Sequence, residues 1–147
     1  MNLFDLGSYH ALVDYAHNPA GYEAVSGFVR NWQGQRVGVI GGPGDRRDED
    51  LIQLGEIAAA TFDRIIVKED DDRRGRDAGV VADLIVKGIV AVNPDVRHEI
   101  ILDETEAIET ALSGVESGGL VVIFPEIVSR AIALIKKRQQ IASNGHV

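Results

Sequence analysis

Three short strings hold most of the residues that could do chemistry. The first is Asp14-Tyr15-Ala16-His17-Asn18-Pro19. Asn is a favoured helix N-cap, and Pro at the first helical position loses no hydrogen bond, so the string reads as a strand end running into a helix start. It presents a carboxylate, an imidazole and a carboxamide together. The Asp14 carboxylate could accept ribose hydroxyls, and His17 could stack on a base or bond a phosphate. The same residues serve equally well as a strand end, a surface histidine and a cap.

The second string is Gly41–Asp50, GGPGDRRDED. Glycines let backbone approach a ligand closely, and a following helix start favours an anion. Arg46 and Arg47 could pair with a phosphate or carboxylate. The string is neither G-x-x-x-x-G-K-[ST] nor G-x-G-x-x-G, so it is not a known phosphate or dinucleotide fingerprint. A solvated strand-to-helix turn is the alternative. The third string, Lys68–Arg76 (KEDDDRRGR), sets Glu69, Asp70, Asp71 and Asp72 beside Arg73, Arg74 and Arg76. Carboxylates of this kind can hold Mg²⁺ or a guanidinium. A salt-bridged, solvated loop accounts for them too.

His10 sits inside a strand pattern and reads as structural, and His98 and His146 suggest no role. Glu126, Ser129 and Arg130 lie where a last helix begins, and a capped helix start suffices for them. There are no cysteines, which removes disulfides, thiolate metal sites and a thiol nucleophile. The net charge of −8 argues against a nucleic-acid partner. No apolar run is long enough to span a bilayer, and Met1–Gly7 lacks a basic, then apolar, leader. The expected setting is the cytoplasm, with no membrane partner.

Regular elements must position these strings. Tyr9–Asp14, Arg36–Gly41, Arg64–Lys68, Glu99–Leu102 and Leu120–Phe124 read as strands. Between them Tyr22, Val25, Val29 and Trp32 recur at helical spacing, as do Leu51, Leu54, Ala58 and Phe62. Asp77–Val90 reads as a third helix. Asp103 and Glu106 have capping-box spacing before a fourth, and Pro125 opens a fifth that runs to about Arg138. Strand and helix alternate five times across 147 residues, the size of one domain. The fold expected is α/β and Rossmann-like, a mainly parallel sheet of about six strands with helices on both faces. The domain spans residues 1–138, with 139–147 as a polar, flexible tail. In such sheets ligands bind at the carboxyl ends of the strands, and all three strings fall there.

The first string resembles the motif that opens the C-terminal domain of Mur ligases and folylpolyglutamate synthetases. Gly41–Asp50, Lys68–Arg76, Leu102–Glu106 (LDETE) and Val121–Arg130 (VVIFPEIVSR) are similar, in order, to segments of the cyanophycin synthetase branch. The resemblance implies an ATP-dependent amide ligase. Its carboxylate substrate is activated as an acyl phosphate and then attacked by an amine. For this branch it implies addition of arginine to the side-chain carboxylates of an aspartate polymer. It implies nucleotide contacts from Asp14, His17 and Asn18, an active-site border at Gly42–Arg46, and amino-acid binding by Asp70, Asp71, Asp72 and Arg73. ATP and Mg²⁺ would serve the full enzyme through a central P-loop ATPase domain, in cis or in trans. The isolated domain would require no cofactor and hold no metal or catalytic residue of its own. Two other functions compete: a free-standing nucleotide- or amino-acid-binding module acting with a partner chain, and a small hydrolase using a metal on Asp70–Asp72.

Overall fold

The computed structural model describes residues 1–144, as a six-stranded sheet between two helical layers. The strands are β1 (Asn2–Asp5), β2 (His10–Val13), β3 (Arg36–Ile40), β4 (Arg64–Val67), β5 (Arg97–Ile100) and β6 (Leu120–Ile123). The helices are α1 (Pro19–Val29), α2 (Asp48–Ala59), α3 (Val80–Val92), α4 (Glu104–Gly114) and α5 (Val128–Asn144). The sheet order is β1-β2-β6-β3-β4-β5. Only β1 runs antiparallel, pairing Asn2–Asp5 with His10–Val13. This N-terminal hairpin strand is the one the alternation of strand and helix did not define.

Past their first residues the central strands are almost wholly apolar, because both faces are covered. Leu12, Ile40, Ile65, Val67, Leu120 and Val122 pack into one core with residues of α1, α2 and α3. Their neighbours Ala11, Val13, Val37, Val39, Ile66, Val121 and Ile123 enter a second core with α4 and α5. The period-two alternation of a strand thus feeds two cores at once.

Two glycines fix how α2 and α3 meet. A Cβ on Gly55 would lie 1.9 Å from Ile85 O, and one on Gly88 would lie 1.9 Å from Ile52 O, so the two backbones touch at this crossing. Phe62, beyond the end of α2, covers Gly38 of β3; a Cβ there would meet its ring at 2.6 Å.

Several boundaries differ from the sequence reading. Helix α1 stops at Val29, and Trp32 follows in a turn, its Nε1 donating to Gly118 O. Strand β5 begins two residues earlier than the apolar run suggests, because it is a half-exposed edge strand. Helix α3 begins at Val80, where Glu69 caps it from a distance by accepting from Gly79 N and Ala82 N. Helix α5 begins three residues after Pro125 and continues through Gln139 to Asn144, residues assigned to the tail. Gln139 Nε2 donates to Asp5 O, joining that stretch to the β1 hairpin. The remainder of the tail reading, residues 145–147 with His146, lies outside the described residues. Among the described residues, no helix is long and apolar enough to cross a membrane.

Candidate functional site

A hollow of about 280 Å³ opens at the carboxyl ends of β2, β3, β4 and β6. The loop after β2 contributes Tyr15, Ala16 and His17. The loop after β3 adds Gly41, Gly42, Pro43, Asp45 and Arg46, and the segments after β4 and β6 add Lys68, Asp70, Asp72, Arg74, Phe124, Pro125 and Glu126. All three strings therefore meet in one place, because parallel strands deliver their outgoing loops to one edge.

The residues within each string have separate tasks. Asn18 Oδ1 accepts from Gly21 N at 2.8 Å and caps α1. Asp14 Oδ1 accepts from Ala16 N and shapes the turn before it. These two flank the hollow, and His17 is the member of the trio on its wall, 5.6 Å from the Tyr15 ring. In the second string Gly42, Asp45 and Arg46 line the hollow. Gly44 is buried instead against the third string, where a Cβ would lie 2.0 Å from Arg73 O. Arg76 Nε donates to Gly44 O at 2.7 Å, and its Nη2 donates to Arg46 O at 2.8 Å and to Asp48, so one guanidinium holds the two loops together.

The third string is wired to the chain's own cations. Lys68 Nζ donates to Asp70 Oδ1 at 3.0 Å, Arg130 Nη1 to Asp71 Oδ2 at 3.2 Å, and Arg74 Nε lies 2.9 Å from Asp72 Oδ2. Asp70 and Asp72 face the hollow described above. Asp71 and Arg73 face a second one of about 250 Å³, which Asp70 also lines together with Glu69, Leu102 and Asp103. Among the described residues no group of three His, Asp or Glu side chains is arranged to hold a metal ion. The acids diverge onto different partners rather than converging on one point.

Beneath the loop lies a buried ionic cluster. Glu104, in the first turn of α4, has no exposed side-chain surface. It accepts from Lys68 Nζ at 2.8 Å, from Arg130 Nη2 at 2.9 Å and from Glu126 N at 2.7 Å. Glu126 in turn accepts from Asp71 N at 2.8 Å. Burial by itself would raise the Glu104 carboxyl, but the Lys68 ammonium, the Glu126 N–H and Arg130 outweigh it and hold the value below the usual range. Burial wins at Asp70, whose carboxyl is pushed up despite Lys68, with Glu126 and Glu104 adding repulsion. Asp70 thus presents a partly desolvated carboxylate to both hollows.

Sequence reasoning left Lys68, Glu104, Glu126 and Arg130 without roles. Lys68 follows the apolar run Ile65, Ile66 and Val67, and a lysine at the end of a doubly covered strand stands where its stem can turn inward. That was the available signal. Glu104 carried none, since it stands beside the real cap, Asp103, whose Oδ2 accepts from Glu106 N. Glu126 and Arg130 were weighed as a helix start, and only the tertiary arrangement puts them against Asp71.

The chain matches the family described as "Mur ligase, glutamate ligase domain" over residues 1–127. It is 70% identical over 141 residues to the cyanophycin synthetase of Synechocystis sp., covering 96% of this chain and 16% of that protein. It is 38% identical over 116 residues to a UDP-N-acetylmuramoyl-L-alanyl-D-glutamate–2,6-diaminopimelate ligase of Synechococcus sp., covering 76% of this chain and 22% of that protein. A solved structure of a ligase of the latter name superposes with a TM-score of 0.69 at 25% identity, over 84% of this chain and 25% of its own. The chain therefore spans about a sixth of the length of the cyanophycin synthetases it matches. On the family match and on these identities, the chain belongs to the Mur ligase family and forms its C-terminal, glutamate ligase domain.

Proposed function

We propose that this chain forms one wall of the active site of an ATP-dependent amide ligase that joins arginine to the side-chain carboxylates of an aspartate polymer. The observation that carries the reading is the single hollow into which a nucleotide-type motif, a glycine loop and an acidic loop all open. ATP would supply the phosphoryl group that turns the polymer carboxylate into an acyl phosphate. Residues present here suit its anionic end: the backbone of the glycine loop, and Arg46, which makes no ion pair among the described residues. His17 and Tyr15 stand where a nucleoside would lie. Mg²⁺ has no ligand set among the described residues, and no G-x-x-x-x-G-K-[ST] string occurs in the sequence. Those parts belong to a P-loop domain, in cis or in trans, without which the chain is expected to be inactive.

The incoming amino acid meets the opposite wall. Each acid of the run already meets a cation of the chain, Asp70 through Lys68, Asp71 through Arg130 and Asp72 through Arg74; Asp70 is the one that lines both hollows, and it is the acid assigned to receive the cationic group. Closure of this wall on its partner would exclude water from the activated carboxylate. The test is kinetic and uses a graft in which this chain replaces the matching 141 residues of the Synechocystis synthetase. Asp70→Asn is expected to raise the KM for arginine about 10-fold or more, the worth of one charge-assisted hydrogen bond, with the KM for ATP little changed. An unchanged arginine KM removes Asp70 from amino-acid recognition.

A further inference from the structure

Tyr22 stands where the three outgoing loops come together. It lies in the first turn of α1, and its backbone N–H donates to Asn18 O at 3.0 Å, joining it to the first string. Its side chain is 1% exposed. The hydroxyl donates to Gly41 O at 2.6 Å and accepts from Gly41 N at 3.2 Å, so one oxygen satisfies both backbone groups of one residue. Its ring stacks on Phe124 with centroids 4.0 Å apart and planes 17° apart. Phe124 and Gly41 both line the hollow.

Gly41 is where β3 leaves the sheet. The ladders end just before it, with Lys68 N donating to Ile40 O and Phe124 N to Val39 O. Its other side abuts Lys68, where a Cβ would come within 2.9 Å of the carbonyl oxygen and 3.0 Å of Cε. The first peptide of the glycine loop is therefore held between a phenol and the stem of a buried lysine. Buried backbone groups need partners, and here a side chain supplies what the sheet no longer does. A phenylalanine would keep the ring stack and the packing while leaving both Gly41 groups without that partner.

We propose that Tyr22 is a positioning residue: it sets the path of Gly41–Arg46 and thereby the phosphate-facing part of the nucleotide site. The role rests on the ligase reading given above, but the clamp itself does not. The loop carries Arg46, so a shift at Gly41 moves the cation that faces the hollow. A cation drawn away from a phosphate forfeits the worth of one charge-assisted hydrogen bond, about 10-fold in binding.

Two readouts on Tyr22→Phe test this. In the 147-residue chain, amide hydrogen exchange by NMR is expected to quicken at Gly41–Arg46 while the strands β4 and β6 keep their protection. In the Synechocystis graft the KM for ATP is expected to rise about 10-fold, with kcat affected less. Ile135→Val in the opposite core is the control for stability alone, since it lowers the melting temperature without touching the loop. Wild-type exchange at Gly41–Arg46 in Tyr22→Phe overturns the clamp. A loosened loop with an unchanged KM for ATP, or a rise matched by Ile135→Val, overturns the positioning role. A graft that is dead with Tyr22 intact counts against the ligase reading, and exchange then decides the clamp by itself.

Discussion

Lys68 Nζ and Glu104 Oε2 lie 2.8 Å apart with their side chains 1% and 0% exposed, so a full ion pair is sealed under the loop that faces the hollow. A pair buried this deeply survives only if its remaining donors and acceptors are met. Lys68 Nζ also donates to Asp70, and Arg130 Nη2 and Glu126 N donate to Glu104. The cluster ties β4, α4 and the start of α5 to one another at the edge where ligand would bind.

Removing one partner should therefore be costly. Glu104→Ala is expected to lose about 3–5 kcal/mol in urea unfolding, because it strands a buried ammonium. The double variant Lys68→Met/Glu104→Leu should recover much of that loss. A Glu104→Ala variant within about 1 kcal/mol of wild type would show that the pair is not sealed as described.

Glu104 and Asp70 should make stability depend on pH in opposite senses. The folded Glu104 value is depressed, so its contribution is whole above the unfolded carboxylate value of about 4.3 and disappears as pH falls through the folded value. Glu104→Gln should flatten the acid side of the stability curve. Asp70 acts in the opposite sense, since its folded value is raised: its contribution is present below the unfolded value of about 3.9 and is lost as pH rises through the folded one. Asp70→Asn should accordingly gain on wild type as pH rises from about 3 to about 7. Parallel curves for wild type and both variants would contradict the two assignments.

The crossing of α2 and α3 gives a test in the scaffold. Gly55→Ala would put a methyl 1.9 Å from Ile85 O, against backbone that has no rotamer to escape into. Overpacking of this kind costs about 1–3 kcal/mol even where side chains can adjust, so the loss here should reach or exceed that range. Equal urea midpoints for Gly55→Ala and wild type would mean that the helices do not touch there.

Adjacent arginines separate site from surface. Arg46 lines the hollow without an ion pair among the described residues, whereas Arg47 is exposed and pairs with Asp50 within its own helix start. In the Synechocystis graft, Arg46→Ala should raise the KM for ATP about 10-fold or more, while Arg47→Ala leaves it near wild type. Equal effects from both would reduce the loop to a general positive patch.

The alternation of strand and helix made the layered sheet legible, and the loops at strand ends made its ligand edge legible. The hairpin strand β1 was not, since four mostly exposed residues carry no period that marks them out. At the site, sequence could show that Asp70, Asp71 and Asp72 stand beside arginines, but not how they pair. The partner of Asp71 is Arg130, 59 residues away. The hydrophobic period of α1 likewise placed Tyr22 inward, yet nothing local shows that its hydroxyl ends on Gly41. Pairings of this kind are set when β4, α4 and α5 pack, and no window of the sequence contains them.

The central claim is that this chain supplies half of a cleft whose energy-coupling half lies in another domain. It is tested most directly by ATP-dependent incorporation of labelled arginine into an aspartate polymer, measured side by side for this chain alone, for the Synechocystis synthetase without its matching segment, and for the graft of the two. Incorporation by the graft alone is the predicted result. Incorporation by this chain with no other domain present, or a folded graft that incorporates none, would contradict it.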